Sequence, residues 1–127
     1  MKKVLIVDDI KGWRDYHSAV ISNLFNGDCD IITADSARSG YDKIMENNLS
    51  PFDLIITDLQ MEADFEPDYA GEWFVKQIKT FKNYYKTKII IISATYNINL
   101  IADNLGVSYI RKATARNFPD SYKELVV

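Results

Sequence analysis

Five short runs set the limits on what this chain can fold into: residues 4–7, 30–33, 54–57, 89–92 and 108–111. Three of them, VLIV, LIIT and IIII, carry no polar alternation. A strand with one wet face alternates apolar and polar residues, whereas a central parallel strand covered on both faces does not. Amphipathic stretches separate the runs. Trp13, Tyr16, Val20, Ile21, Leu24 and Phe25 recur at three- and four-residue spacing and form one helical stripe. Ser36 is placed to cap a second helix through Tyr41, Ile44 and Met45. Trp73, Phe74, Ile78 and Phe81 mark a third, starting after Gly71. Residues 97–104 read as a short fourth helix stopped by Gly106, and a fifth is expected from Phe118-Pro119 to the last residue, Val127. A β-α unit repeated in this way, with right-handed crossovers, gives an α/β doubly wound five-stranded parallel sheet with helices on both faces.

A chain of 127 residues is long enough for one domain, spanning 1–127, with a buried core. Its formal charge of −3 argues against a nucleic-acid surface, which needs Lys and Arg in excess, so no direct nucleic-acid binding is expected. No apolar run is long enough to cross a bilayer, so no membrane partner is expected. Lys2-Lys3 before VLIV imitates a signal peptide only until Asp8-Asp9 end the run. The single cysteine, Cys29, reads as a small residue leading into a strand, consistent with a reducing cytoplasm. His17, the sole histidine, reads as a helix-surface residue, and its isolation excludes a histidine-built metal site.

In doubly wound sheets, ligands bind at the carboxyl ends of the strands. The residues there are Asp8-Asp9, Asp58, Ser93 and Lys112, with only Ala34 after the second strand. Taken singly each has a plainer role: the first pair as a helix cap, Asp58 as a turn residue, Lys112 as a solvated charge. Their shared placement favours a site. Three clustered carboxylates need a compensating cation, and all-oxygen ligation suits Mg²⁺. An ammonium and a hydroxyl beside such an ion suit phosphoryl chemistry, in which positioning and charge neutralisation do most of the catalysis.

Together, LIVDD, DLIITDLQM, IIISAT and GVSYIRK resemble the receiver domain of two-component response regulators, the chemotaxis-regulator-like kind, over nearly the whole chain. The resemblance implies a flavodoxin-like strand order 2-1-3-4-5. It implies that Asp58 is the phosphoacceptor, taking a phosphoryl group from a sensor histidine kinase or phosphotransfer protein. It also implies that Asp8, Asp9, Asp58 and the Gln60 backbone carbonyl hold Mg²⁺, with Asp9 the direct ligand and Asp8 acting through water. Ser93 and Lys112 match the hydroxyl and lysine that close on the phosphoryl group, and Tyr109 matches the aromatic switch that moves with Ser93. The output target is undefined, and a phosphorylation-dependent dimer is a further expectation.

Departures from the family pattern sharpen the expectations. Glu62 replaces a usual proline, and the acidic stretch 62–70 either adds contacts beside the site or forms a solvated insertion; Phe65 and Tyr69 are its candidate anchors. Ala113 stands where the family has a proline, so a trans Lys112–Ala113 bond and a displaced Lys112 are expected. Gln60 and Thr95 flank the site at positions that influence loss of the phosphoryl group. A signalling switch, and not an enzyme, is the leading reading. The alternatives are a degenerate receiver used for binding alone and a Mg²⁺-dependent aspartyl phosphatase. The latter lacks an acid at Gln60. The chain reads either as a stand-alone receiver or as one excised from a longer regulator.

Overall fold

The computed structural model of the protein describes residues 1–126. Its strands are β1 (Lys2–Val7), β2 (Cys29–Ala34), β3 (Leu54–Thr57), β4 (Lys88–Ser93) and β5 (Ser108–Arg111), parallel throughout and ordered β2-β1-β3-β4-β5. The helices are α1 (Lys11–Leu24), α2 (Ala37–Glu46), α3 (Ala70–Ile78), α4 (Ile98–Leu105), α5 (Lys112–Asn117) and α6 (Ser121–Val126), with 3-10 turns at Ala63–Phe65 and Lys82–Tyr84. Strand order and the first four helices agree with the sequence reading.

The period-two alternation of each strand divides the core into two layers. Leu5, Val7, Ile55, Ile89 and Ile91 face α2, α3 and α4, where Ile44, Phe74, Val75 and Ile101 cover them. Val4, Ile6, Ile56, Ile90, Ile92 and Ile110 face the other way, against Ile21 of α1, Ala115 of α5 and Tyr122 of α6. Both faces are therefore dry, which is why the runs in β1, β3 and β4 show no polar alternation.

Local chemistry fixes the helix ends. Ser36 Oγ accepts from Ser39 N at 3.0 Å while Ser39 Oγ accepts from Ser36 N at 3.2 Å, a reciprocal cap that starts α2. Gly106 adopts φ +70° and stops α4. Phe81 lies past the end of α3, next to the second 3-10 turn.

Two expectations are overturned here. The fifth helix does not begin at Phe118-Pro119; α5 starts at Lys112, directly off β5, with Arg111 extended as its N-cap (φ −71°, ψ 140°). Phe118 (φ −135°, ψ 80°) ends it, because a residue before proline is pushed out of the helical region, and a separate α6 follows. The expected continuation to Val127 lies outside the described residues. His17 is not a surface residue: it is 1% exposed, on the inner face of α1. It falls four residues after Trp13 and four before Ile21, within the apolar stripe.

Candidate functional site

Strand register assembles the site. Val7 pairs with Thr57, so Asp8 and Asp58, one residue beyond each, stand abreast at the carboxyl edge. Both continue the alternation of Ile6 and Ile56 and belong to the α1/α5/α6 face. Lys112 continues the alternation of Ile110 from the first position of α5. Asp8 is fully buried, Asp58 and Lys112 nearly so, and Asp9 is exposed.

Lys112 Nζ donates to Asp58 Oδ2 at 2.8 Å, and Leu59 N donates to Asp58 Oδ1 at 2.7 Å. The same ammonium lies 3.1 Å from Asp8 Oδ2, outside hydrogen-bonding geometry, so that buried oxygen has a charge beside it but no donor aimed at it. Asp8 Oδ1 accepts from Ile10 N at 3.0 Å, which turns the chain into α1. Ile10 itself is the N-cap of α1 and offers no side-chain cap. The only cis peptide among the described residues is Glu66–Pro67, so Lys112–Ala113 is trans as expected. α5 begins at once at Lys112, and its side chain reaches Asp58.

Carboxylate oxygens of Asp8, Asp9 and Asp58 lie within 4.8 Å of one another. Burial raises the Asp8 pKa above the usual carboxylate range and the Asp58 charge adds to the rise, while the Ile10 N–H and Lys112 oppose it. Three carboxylates against one ammonium leave the cluster negative. Three carboxylates around one ammonium, an all-oxygen donor set, fit a hard divalent cation such as Mg²⁺. Asp8, Asp9 and Asp58 are the residues that could hold it, and Gln60 lines the cleft beside them.

A cleft of about 590 Å³ opens over the cluster, lined by Asp9, Trp13, Asp58, Gln60, Lys112 and Arg116 among others. The Trp13 ring lies 4.9 Å from Lys112 Nζ and 5.3 Å from the Arg116 guanidinium carbon. Neither Trp13 nor Arg116 stands at a strand end, so a search confined to strand ends passes over both. Arg116 shares a helical face with Lys112, four residues earlier, once α5 is known to start at Lys112.

Ser93 and Tyr109 stand on the neighbouring strands β4 and β5. Ser93 is buried, and its hydroxyl is 3.0 Å from Thr95 Oγ1. Tyr109 is 37% exposed on β5. Arg111 Nη1 donates to Tyr96 O at 3.1 Å, tying the loop after Ser93 to β5. In the acidic stretch, Glu62 turns away from the cluster and accepts from Ala37 N (2.7 Å) and Arg38 N (3.2 Å), capping α2. Asp64 pairs with Arg38, Asp68 with Lys76, and Phe65 stacks on Trp73 at 4.4 Å. The stretch is thus fastened along α2 and α3 and contributes no carboxylate to the acidic cluster.

The architecture is a doubly wound sheet whose switch-point edge carries two buried acids paired to a lysine. A family model, the response regulator receiver domain, matches residues 4–116, and the chain belongs to that family. It is a signalling domain of two-component systems, whose members interact with histidine kinases or phosphotransfer proteins and bind Mg²⁺ at an acidic pocket. A comparison with curated proteins finds no match in sequence. Among solved structures, the chain is similar to the phosphorylated cyanobacterial phytochrome response regulator RcpA, at 19% identity and TM-score 0.77 over 97% of this chain and 91% of that one. It is similar to a signal receiver domain from Clostridium thermocellum, at 19% identity and TM-score 0.76 over 98% and 97%. A LuxR-family DNA-binding response regulator from Staphylococcus aureus is also similar, at 18% identity and TM-score 0.70 over the whole of both chains. Likeness at these identities speaks to the fold. The third of these is described as DNA-binding, so the expectation of no nucleic-acid contact gains no support from such relatives. No helix among the described residues is long and apolar enough to cross a membrane.

Proposed function

We propose that the chain is a phosphorylation-controlled switch whose phosphoacceptor is Asp58, loaded from a phosphohistidine of a sensor kinase or phosphotransfer protein with Mg²⁺ bound at Asp8, Asp9, Asp58 and the Gln60 carbonyl. The observation that carries this reading is the 2.8 Å Lys112–Asp58 contact inside a cluster of three carboxylates. An Asp58 oxygen attacks phosphorus, the phosphorus–nitrogen bond breaks, and its electron pair stays on the imidazole nitrogen, which takes a proton from solvent. Bound Mg²⁺ would supply charge neutralisation for the phosphoryl oxygens. Lys112 holds the carboxylate in place and then pairs with the new negative charge. Ser93 supplies a hydroxyl one residue after Ile92, and its movement toward the phosphoryl group frees space for Tyr109 to turn inward. The domain acts in the cytoplasm on an output target, alone or as a dimer, and is not a turnover enzyme.

Incubating the protein with acetyl phosphate and Mg²⁺ and measuring its mass tests this. One phosphoryl group is expected on the wild type and none on Asp58→Asn. No adduct on the wild type favours a degenerate receiver that works by binding alone, and continuous turnover of small phosphate esters favours a phosphatase.

A further inference from the structure

His17 sits in mid-α1, and its two ring nitrogens face groups on different elements. Nδ1 is 2.6 Å from the Tyr122 hydroxyl of α6, and Nε2 is 3.9 Å from Asp8 Oδ2. Asp8 and Tyr122 are fully buried and His17 is 1% exposed. Three polar groups therefore cross the core from the last helix to the acidic cluster. Leucine or phenylalanine at 17 and 122 would fill the same space without the desolvation cost of burying polar atoms.

The partners decide the tautomer. A neutral imidazole offers one donor and one acceptor. An ionised Asp8 only accepts, so the favourable arrangement puts the proton on Nε2, toward Asp8 Oδ2, and leaves Nδ1 to accept from the tyrosine O–H. The 3.9 Å separation is charge–dipole range, and Asp8 Oδ2 has no hydrogen bond of its own.

We propose that His17 is a positioning residue for the cation site and that Tyr122 sets its tautomer, coupling α6 to the Asp8 carboxylate. This rests on the reading of Asp8 as part of a Mg²⁺ site. The coupling is reciprocal: whatever the Tyr122 hydroxyl adds to cation affinity, the cation returns to the packing of α6. Groups that hydrogen-bond a metal ligand directly change affinity by about 10- to 100-fold, so at this longer range roughly 3- to 10-fold is expected.

The test is a Mg²⁺ titration of the full chain by NMR, reading the ¹⁵N signals of its single histidine ring and the backbone amides of Asp8 and Asp9. Tyr122→Phe removes the hydroxyl. Tyr16→Phe is the control, because the Tyr16 hydroxyl donates to Ala115 O at 2.7 Å and so ties α1 to α5 without contacting Asp8. In the wild type the expected result is a protonated Nε2 whose signal moves as Mg²⁺ binds. Tyr122→Phe should weaken Mg²⁺ by roughly 3- to 10-fold and redistribute the tautomers, with Tyr16→Phe unchanged. Wild-type binding with immobile His17 signals, or Tyr122→Phe binding as the wild type does, overturns the coupling and leaves the site reading standing. Failure of the wild type to bind Mg²⁺ at all overturns both. If Tyr122→Phe does not fold, the response of the wild-type histidine signals decides.

Discussion

Lys112 reaches Asp58 at 2.8 Å because a helix begins at Lys112 itself, with a trans bond to Ala113. The family's proline at 113 would disturb this. A residue before proline is driven to extended backbone, and Lys112 occupies the first helical position. Ala113→Pro should therefore unwind the start of α5, withdraw Lys112 from Asp58 and lower stability by about 1–3 kcal/mol. Urea denaturation gives the stability change, and the rate of acetyl phosphate labelling should fall with it. An Ala113→Pro protein as stable and as quickly labelled as the wild type would show that the helical start does not hold Lys112.

Gly71 sets the backbone beneath the same aspartate. Its N–H donates to Leu59 O at 3.0 Å, and a Cβ built on it would stand 2.6 Å from Leu59 Cα and closer still to the Asp58 carbonyl. Both neighbours are main chain, with no flexible end to give way. Gly71→Ala should cost about 3 kcal/mol or more and displace the Asp58 loop. Thermal unfolding checks this; a melting temperature within a degree or so of the wild type would contradict it, since 1 kcal/mol is worth several degrees in a chain of this size.

Glu62 separates structural from functional acidity. Its carboxylate caps α2 through two backbone N–H groups and lies outside the acidic cluster, so Glu62→Ala should cost about 0.5–2 kcal/mol and leave Mg²⁺ affinity unchanged. Isothermal titration and chemical denaturation measured together decide the matter. A variant that loses Mg²⁺ affinity at full stability would mean that the loop swings to the site.

How far the sequence shows this depends on the range of each interaction. Asp8, Asp58 and Lys112 each stand one residue past a strand and continue its inward alternation, so parity and position mark them before any contact is known. Ser36 and Gly106 are legible for the same reason: their partners are three or four residues away. Glu62 is not, because the N–H groups it caps are 24 and 25 residues distant and leave no spacing to read. Pro119 suits a first helical turn, and only the structure shows that it separates two helices instead. His17 is intermediate. Its place in the α1 stripe between Trp13 and Ile21 signals burial, yet what makes burial tolerable is Tyr122, 105 residues on.

That burial has a consequence for acid stability whose sign is fixed. The His17 pKa is lowered from 6.5 to about 3, chiefly by burial and secondarily by Lys112. Between those values the unfolded chain binds a proton at His17 that the folded chain refuses. Stability is therefore intact above pH 6.5 and falls as pH drops toward about 3, with a limiting slope of about 1.4 kcal/mol per pH unit. Between pH 6 and pH 5 this one group should remove about 1 kcal/mol. His17→Gln keeps a hydrogen-bonding partner for Tyr122 but cannot titrate. Its stability will differ from the wild type at neutral pH, so the slope and not the offset is the observable. Urea denaturation at half-unit steps should show the wild type losing about 1 kcal/mol more than the variant over that interval. Parallel profiles would mean that the imidazole takes up its proton in the folded state, and that Asp8 then faces a charged partner across 3.9 Å.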